Sequence, residues 1–362
     1  MNDKLKNVVV TIAFVFIIVT FFIANIIKKD DTISIAERRK LEQFPQISAK
    51  TVFNGTFFNK FNKYTTDQFV LREEFRKLKI NAEFNLLRKS DYNNLYQYGD
   101  YIISQTYPLN EKSVLNISKK INQIYEQYLT DQNNVYFTIV PDKNYFINDE
   151  NLKLDYNKLE NLLNRNLSFA KYIRIFDMLE LEDYYKTDTH WKQERLLKVA
   201  KTIAESMNVN LENEYKEKTI CDFQGTYSGQ LPISTAKDKI KILTNSEIEK
   251  SKVYNYETKK ENKVYNMEKI NSLDKYDIYL SGATPVLKIE NPENKTGNEL
   301  IIFRDSYASS LVPLFIPKYS KITLIDTRYI SPKLLPNYVE FNNQDILFMY
   351  STLIINNSYS LK

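Results

Sequence analysis

One cysteine, one histidine and one tryptophan occur in 362 residues, and each scarcity excludes something. Cys221 stands alone, so the chain can form no intramolecular disulfide and no thiolate cluster. His190 is the sole imidazole, which excludes a zinc site built from His and Cys ligands. The fold must be held by its core, and neither a metal nor a cofactor is expected. Glycine is scarce too, at 6 residues. Charge of one sign is nowhere concentrated: 50 basic and 45 acidic residues leave a net +5, with no run of five or six like charges. A nucleic-acid binder would gather Lys and Arg into a patch or stripe, so no nucleic-acid partner is expected.

What is present describes a folded protein. Hydrophobic residues make up 43% and charged residues 26%, a globular balance, and the length allows one large domain or two smaller ones. Aromatic content is high, with 27 Tyr and 21 Phe. Such side chains suit sugar stacking, and they suit half-buried strand positions equally well.

The clearest physical signal is N-terminal. Residues 8–27 form an apolar run broken only by Thr11, Thr20 and Asn25. At about 1.5 Å per residue, a helix of roughly 20 residues spans the ~30 Å hydrocarbon core of a bilayer. No A-x-A-like site ends the run, which reads as an uncleaved anchor rather than a removable signal. Lysines flank both ends (Lys4 and Lys6, then Lys28 and Lys29), so the positive-inside rule leaves orientation open. A long hydrophilic remainder behind a very short leading segment favours the bulk of the chain outside the cytoplasm. Residues 1–30 are accordingly the anchor, and 31–97 a helical arm. Phe57, Phe58, Phe61, Tyr64, Phe69, Leu71, Phe75, Leu78 and Phe84 recur there at mostly helical intervals, a pattern that core packing explains. Arg72, Arg76, Lys77 and Lys79 read as a solvated face.

From about Tyr98 strands and helices alternate. Strands are expected at 135–140 (ended by Pro141), 172–176, 300–303, 322–325 and 346–350, and helix at 194–207 and after Ser306. This order implies an α/β domain over 98–362 with a mostly parallel sheet covered on both faces. Residues 212–278 read as a peripheral insert, a hairpin or small lobe.

The only His lies in Lys186-Thr-Asp-Thr-His-Trp191, beside the only Trp. Asp188, two residues earlier on an extended or turn segment, can project to the side of the imidazole and hold its orientation. Taken alone, Asp-x-His is a weak signal. The second element is Ile301-Ile-Phe-Arg-Asp-Ser-Tyr307, an apolar strand ending in Ser306 and leading into a helix. In open α/β sheets, sites form beyond the carboxyl ends of the strands, and a helix N-terminus offers N–H groups to an oxyanion. The structural alternative is that Ser306 or Asp305 merely caps the helix.

Asp188-Thr-His-Trp191 followed by Arg304-Asp-Ser-Tyr307 resembles the DHHW family, which is related to the alginate O-acetylation proteins and the SGNH-hydrolase-like group. Further support runs through Glu37 to Pro45, Asp67-Gln-Phe-Val-Leu-Arg72, Val140-Pro-Asp-Lys143, Phe223-Gln-Gly-Thr-Tyr227, Gly282 and Ile325-Asp-Thr-Arg-Tyr329. The resemblance implies a three-layer α/β/α fold, with Ser306 as nucleophile, His190 as base and Asp188 as its orienting partner. It implies O-acyl transfer, of acetyl in particular, onto a cell-surface polysaccharide. The acetyl groups would come from a polytopic membrane acyltransferase partner. An esterase using the same residues and a non-catalytic polysaccharide-binding scaffold are the alternatives. Two departures stand out. Thr189 replaces the family's second His, and Ala283 follows Gly282 where relatives often carry Asn. Oxyanion contacts would then pass to backbone N–H groups, of Ser306 and of Gly225 or Gly229, although both glycines also read as turn residues. Lys143 and Tyr350, each at a strand end, are candidates for acceptor binding and equally for structural roles.

Overall fold

In the computed structural model, residues 3–147, 151–233 and 236–362 are described. Two compact units separate: Met1–Ser90 with Gly229–Ile233, and Asp91–Ser228 with Ser234–Lys362.

The first unit begins with a 25-residue helix, Asp3–Ile27, on which no residue is buried. Its length and composition suffice to cross a membrane. A two-stranded ladder follows, pairing Ile33–Ser34 with Arg39–Lys40, and then the helices Ala49–Phe53, Thr56–Asp67 and Arg72–Asn85. Ser48 starts the first of these with a capping box: its hydroxyl accepts from the Thr51 N–H while Thr51 Oγ1 accepts from Ser48 N–H. Two expectations fail here. The aromatic stripe does not form a core, because Phe58, Phe61, Phe69 and Phe75 are exposed and Ile80 is the one buried residue of these helices. Arg72 and Arg76 are not a solvated face either. Arg72 pairs with Glu37 at 2.6 Å and Glu73 at 2.7 Å, and Arg76 pairs with Glu73 at 2.6 Å. Glu73 is a neighbour on the same helix, but Glu37 comes from a segment far away in sequence, which local charge spacing cannot show.

The second unit is built on eight strands: β1 (Asn134–Val140), β2 (Lys171–Tyr172), β3 (Lys252–Asn255), β4 (Lys260–Asn262), β5 (Val286–Glu290), β6 (Glu299–Arg304), β7 (Lys321–Ile325) and β8 (Asp345–Ser351). Their order across the sheet is 4-3-5-7-6-8-1-2. Strands β7, β6, β8, β1 and β2 are mutually parallel; β5, β3 and β4 form an antiparallel edge. Side chains alternate between two apolar clusters, as the pleat requires. Tyr136, Leu300, Ile302, Ile322, Leu347 and Met349 join Val199, Ile203 and Phe315 in one cluster. Val135, Phe137, Ile301, Phe303, Ile346 and Phe348 join Val114, Ile117, Ile121 and Leu159 in the other. Helix Leu197–Ser206 thus serves the first cluster, while Glu111–Tyr128 and Tyr156–Asn166 serve the second. Strands buried on both sides read as continuous apolar runs, which is why β1, β6, β7 and β8 are legible in the sequence.

Other expectations are met only in part. The strand expected at 172–176 pairs over Lys171–Tyr172 alone, because Thr138 Oγ1 takes the Ile173 carbonyl and Phe176–Met178 turns into a 3-10 helix. The helix after Ser306 is a single turn, Ala308–Leu311, continued as 3-10 helix through Lys318. Of the insert, Lys216–Phe223 and Asp238–Thr244 do form a separate hairpin, yet β3 and β4 extend the central sheet itself. Leu347 lies fully buried in β8. Leu347→Ala should lower stability by about 2–5 kcal/mol, read as a fall in the urea midpoint of the detergent-solubilised chain. Lys119→Ala on the exposed face of helix Glu111–Tyr128 should stay within about 0.5 kcal/mol.

Candidate active site

Three parallel neighbours, β6, β8 and β1, end side by side, and the polar groups gather just beyond them. β6 stops at Arg304, and Asp305 opens a tight turn: its Oδ1 accepts from Tyr307 N–H at 3.0 Å and its Oδ2 from Ser351 N–H at 2.7 Å. Asp305 therefore closes the turn and ties β6 to β8, while the short helix that follows has Tyr307 at its N-cap and no side-chain cap, so neither Asp305 nor Ser306 caps it. Arg304, wholly buried, braces the turn from within by donating to the Asp305 carbonyl and to Ser309 Oγ.

The His-bearing segment is a closed loop, not the start of a helix. Tyr185 N–H donates to the His190 carbonyl at 3.0 Å, and Tyr184 bridges Trp191. The Trp191 ring is fully buried edge-on against Tyr307, and Nε1 donates to the Tyr307 carbonyl at 3.0 Å. This contact locks the loop onto the turn that carries Ser306.

The outcome is a chain of hydrogen bonds. Ser306 Oγ lies 2.8 Å from His190 Nε2, and His190 Nδ1 lies 2.6 Å from Asp188 Oδ1. Asp188 is fully buried and His190 nearly so, whereas Ser306 is partly exposed. Asp188 Oδ1 also accepts from the His190 N–H, and Oδ2 accepts from Thr226 N–H and Oγ1, both at 2.8 Å. Burial pushes the Asp188 carboxyl up; the charge and hydrogen bond of His190 and the two Thr226 donors outweigh it and hold the group well below the usual carboxylate range. An ionised Asp188 selects the ring tautomer with its proton on Nδ1, leaving Nε2 to accept from Ser306.

Thr189, in place of a second His, hydrogen-bonds the Tyr307 hydroxyl at 2.9 Å and holds that ring beside the imidazole. Asp238 fixes the loop from behind, accepting from Lys186 N–H, Thr187 N–H and Thr187 Oγ1. Tyr276 lies parallel to the imidazole at 3.8 Å between centroids, 8° off coplanar, with its hydroxyl held 2.8 Å from Ser310 Oγ. Neither Tyr276 nor Asp238 carries a local signal in the sequence, since both arrive from the insert. Thr226 could have been found, standing next to Gly225 in the Phe223-Gln-Gly-Thr-Tyr227 stretch.

Four residues singled out in the sequence have other roles. The Gly225 N–H is occupied by Thr187 Oγ1 at 2.9 Å, so it is not an oxyanion donor. A Cβ at Gly225 would fall 2.2 Å from Asp188 Cβ, and the missing side chain is what lets the Thr226 donors close on Asp188. Gly229 belongs to the first unit, where a Cβ would strike the Ala36 carbonyl at 1.7 Å. Lys143 is buried and donates to the carbonyls of Ile102 and Tyr185, and burial pushes its ammonium down to about 7. Tyr350 is buried with its hydroxyl 3.2 Å from Thr327 Oγ1. Both side chains are thus buried and engaged within the fold. Among the described residues, no group of three or more His, Cys, Asp or Glu side chains is arranged to hold a metal ion.

The fold and site define an α/β domain with a serine, histidine and carboxylate linked beyond the ends of parallel strands. Among solved structures, the chain is similar to a DHHW family protein from Eubacterium siraeum DSM 15702, at 21% identity and TM-score 0.60 over 75% of this chain and 94% of that one. It is also similar to Bacillus cereus PatB1 with a sulfonyl adduct, at 15% identity and TM-score 0.56 over 72% of this chain and 97% of that one. The O-acetyltransferase domain of Pseudomonas putida AlgJ lies further off, at 10% identity and TM-score 0.47 over 73% and 93%. The chain thus shares the fold of a DHHW family protein, in keeping with the resemblance of its paired motifs. No family model matches the sequence, and no curated protein matches it. Gly225→Ala should force Thr226 and Asp188 apart, lowering stability by about 1–3 kcal/mol and depressing the thermal midpoint of the purified chain.

Proposed function

We propose that the chain is a membrane-anchored, extracytoplasmic O-acyltransferase with an SGNH-like three-layer domain, moving acetyl groups onto a cell-surface polysaccharide. The observation that carries the reading is the unbroken run from Ser306 through His190 to Asp188, buried at the carboxylate end and open to solvent at the hydroxyl end. Ser306 Oγ attacks the carbonyl of an acyl ester as its proton passes to His190 Nε2, and the donor leaves as an alcohol carrying that proton. The sugar hydroxyl then gives a proton to the same nitrogen, attacks the acyl-serine, and departs as the ester while Ser306 is reprotonated. Asp188 stays ionised and stabilises the imidazolium, and the π-face of Tyr276 adds to that stabilisation. We assign the oxyanion to the Ser306 backbone N–H. The acetyl group is supplied by a polytopic membrane acyltransferase, because a cytoplasmic acetyl donor does not cross the membrane unaided.

Treatment with p-nitrophenyl acetate should place an acetyl group on the Ser306 peptide, found by mass spectrometry, and a sulfonyl fluoride should block it. Ser306→Ala should abolish labelling, with a rate loss approaching ~10⁶. An oligosaccharide acceptor should speed loss of the label and yield acetylated sugar. Release of acetate at a rate indifferent to acceptor would instead make the protein an esterase. A serine that takes no label, in a domain that still binds polysaccharide, would leave only the scaffold role.

The serine proton has no other imidazole to pass to, so His190→Gln should remove most of the rate of p-nitrophenyl acetate hydrolysis. Full activity in the variant would eliminate His190 as base.

A further inference from the structure

The first unit carries apolar surface that no core of its own absorbs. Phe44, Phe53, Phe58, Leu71 and Leu78 are exposed, Phe53 at 90%, and all lie outside the apolar run of the first helix. A groove of about 900 Å³ runs along the C-terminal half of that helix, with Ile18, Phe21 and Ile26 on one wall and Phe61, Phe69 and Phe75 on the other.

Depth along the helix identifies what fills it. Lys28 marks the end of the apolar run, and Phe21 lies seven residues before it, about 10 Å inside at 1.5 Å per residue. The Phe21 ring stacks on Phe69 at 5.8 Å and meets Phe75 at 5.9 Å. A bilayer spanned by this helix, with Lys4 and Lys6 at one surface and Lys28 and Lys29 at the other, therefore holds Phe69 and Phe75 at hydrocarbon depth. Asn25, the polar residue nearest that end, is satisfied locally: Oδ1 accepts from Val70 N–H at 2.9 Å and Nδ2 donates to the Phe21 carbonyl at 2.7 Å. Hydrocarbon offers such a group no partner, and the arm supplies one. Lys60 and Lys63 are exposed on helix Thr56–Asp67, where their apolar stems let ammonium groups reach the headgroup layer. Aromatic rings flanked by lysines are the composition of a membrane interface.

We propose that this unit is seated in the leaflet at which the first helix emerges, with lipid acyl chains occupying the groove between that helix and the aromatic arm. The proposal rests on the reading of the first helix as a membrane span. The open groove is continuous with the helix surface, none of which is buried, so the hydrocarbon that covers the span extends into the groove.

The test uses the full chain carrying Cys221→Ser and one of four single cysteines, Phe14→Cys, Phe58→Cys, Phe61→Cys or Lys119→Cys, each labelled with an environment-sensitive fluorophore. The proteins are reconstituted in vesicles of phosphatidylcholine and phosphatidylglycerol, then exposed to doxyl-labelled lipid and to aqueous iodide. Labels at 58 and 61 should be quenched by doxyl lipid to the extent seen at 14 and should resist iodide, whereas the label at 119 should respond to iodide alone. If the label at 14 is lipid-quenched while those at 58 and 61 respond only to iodide, the proposal is overturned and the span survives. Protection of 58 and 61 from both quenchers would show that a second copy covers the groove, which also overturns it. A label at 14 that ignores doxyl lipid would sink the membrane-span reading itself, and the proposal with it.

Discussion

The site depends on keeping one carboxylate ionised in a place without water. Asp188 is fully buried, and burial alone favours its neutral form. Four donors reverse that preference: the imidazole, the His190 N–H, and both donors of Thr226. These arrive from two segments that must pass nearly in contact, and Gly225 is the residue without a side chain at the crossing. Asp238 then locks the same loop from its other side, taking three donors of Lys186 and Thr187. A buried ion with every lone pair engaged is rigid, and that rigidity passes directly to the imidazole.

The parallel sheet supplies the other half of the geometry. Because β6, β8 and β1 run in the same direction, their carboxyl ends coincide, and Asp305 can close its own turn while reaching the Ser351 N–H at the end of β8. Ser306 is thereby fixed to the sheet, and His190 is fixed to Ser306's turn through Trp191. The insert contributes more than bulk. Besides lengthening the sheet at its antiparallel edge, it lays Tyr276 flat against the imidazole, so the ring is held between a carboxylate at its rim and an aromatic face.

The first unit follows a different logic. Its helices bury almost nothing, and its cohesion comes from ion pairs among Glu37, Asp67, Arg39, Arg72, Glu73 and Arg76 together with stacked rings. The Arg39 hydrogen bond holds the Asp67 carboxyl below the usual range. Polar groups knit one side of the arm and aromatic rings are left on another, which suits a segment between water and hydrocarbon better than one in water alone.

The sequence by itself determined the elements whose surroundings are uniform. Strands β1, β6, β7 and β8 are buried on both faces and therefore appear as apolar runs, and the first helix appears as one long apolar stretch. It also picked out His190 as the single imidazole, Asp188 by its spacing two residues earlier and Ser306 by its place after an apolar strand, and the resemblance of the two motifs joined them. Tertiary structure alone decided whether those three meet, since 116 residues separate His190 from Ser306 and a hydrogen bond of 2.8 Å depends on strand order and on Trp191. Tyr276 and Asp238 act through pairings that no local pattern encodes. The aromatic arm departs from its expected core for a related reason. Helical spacing tells which side chains share a face, but whether that face meets a core, water or lipid is set by what the rest of the chain places against it.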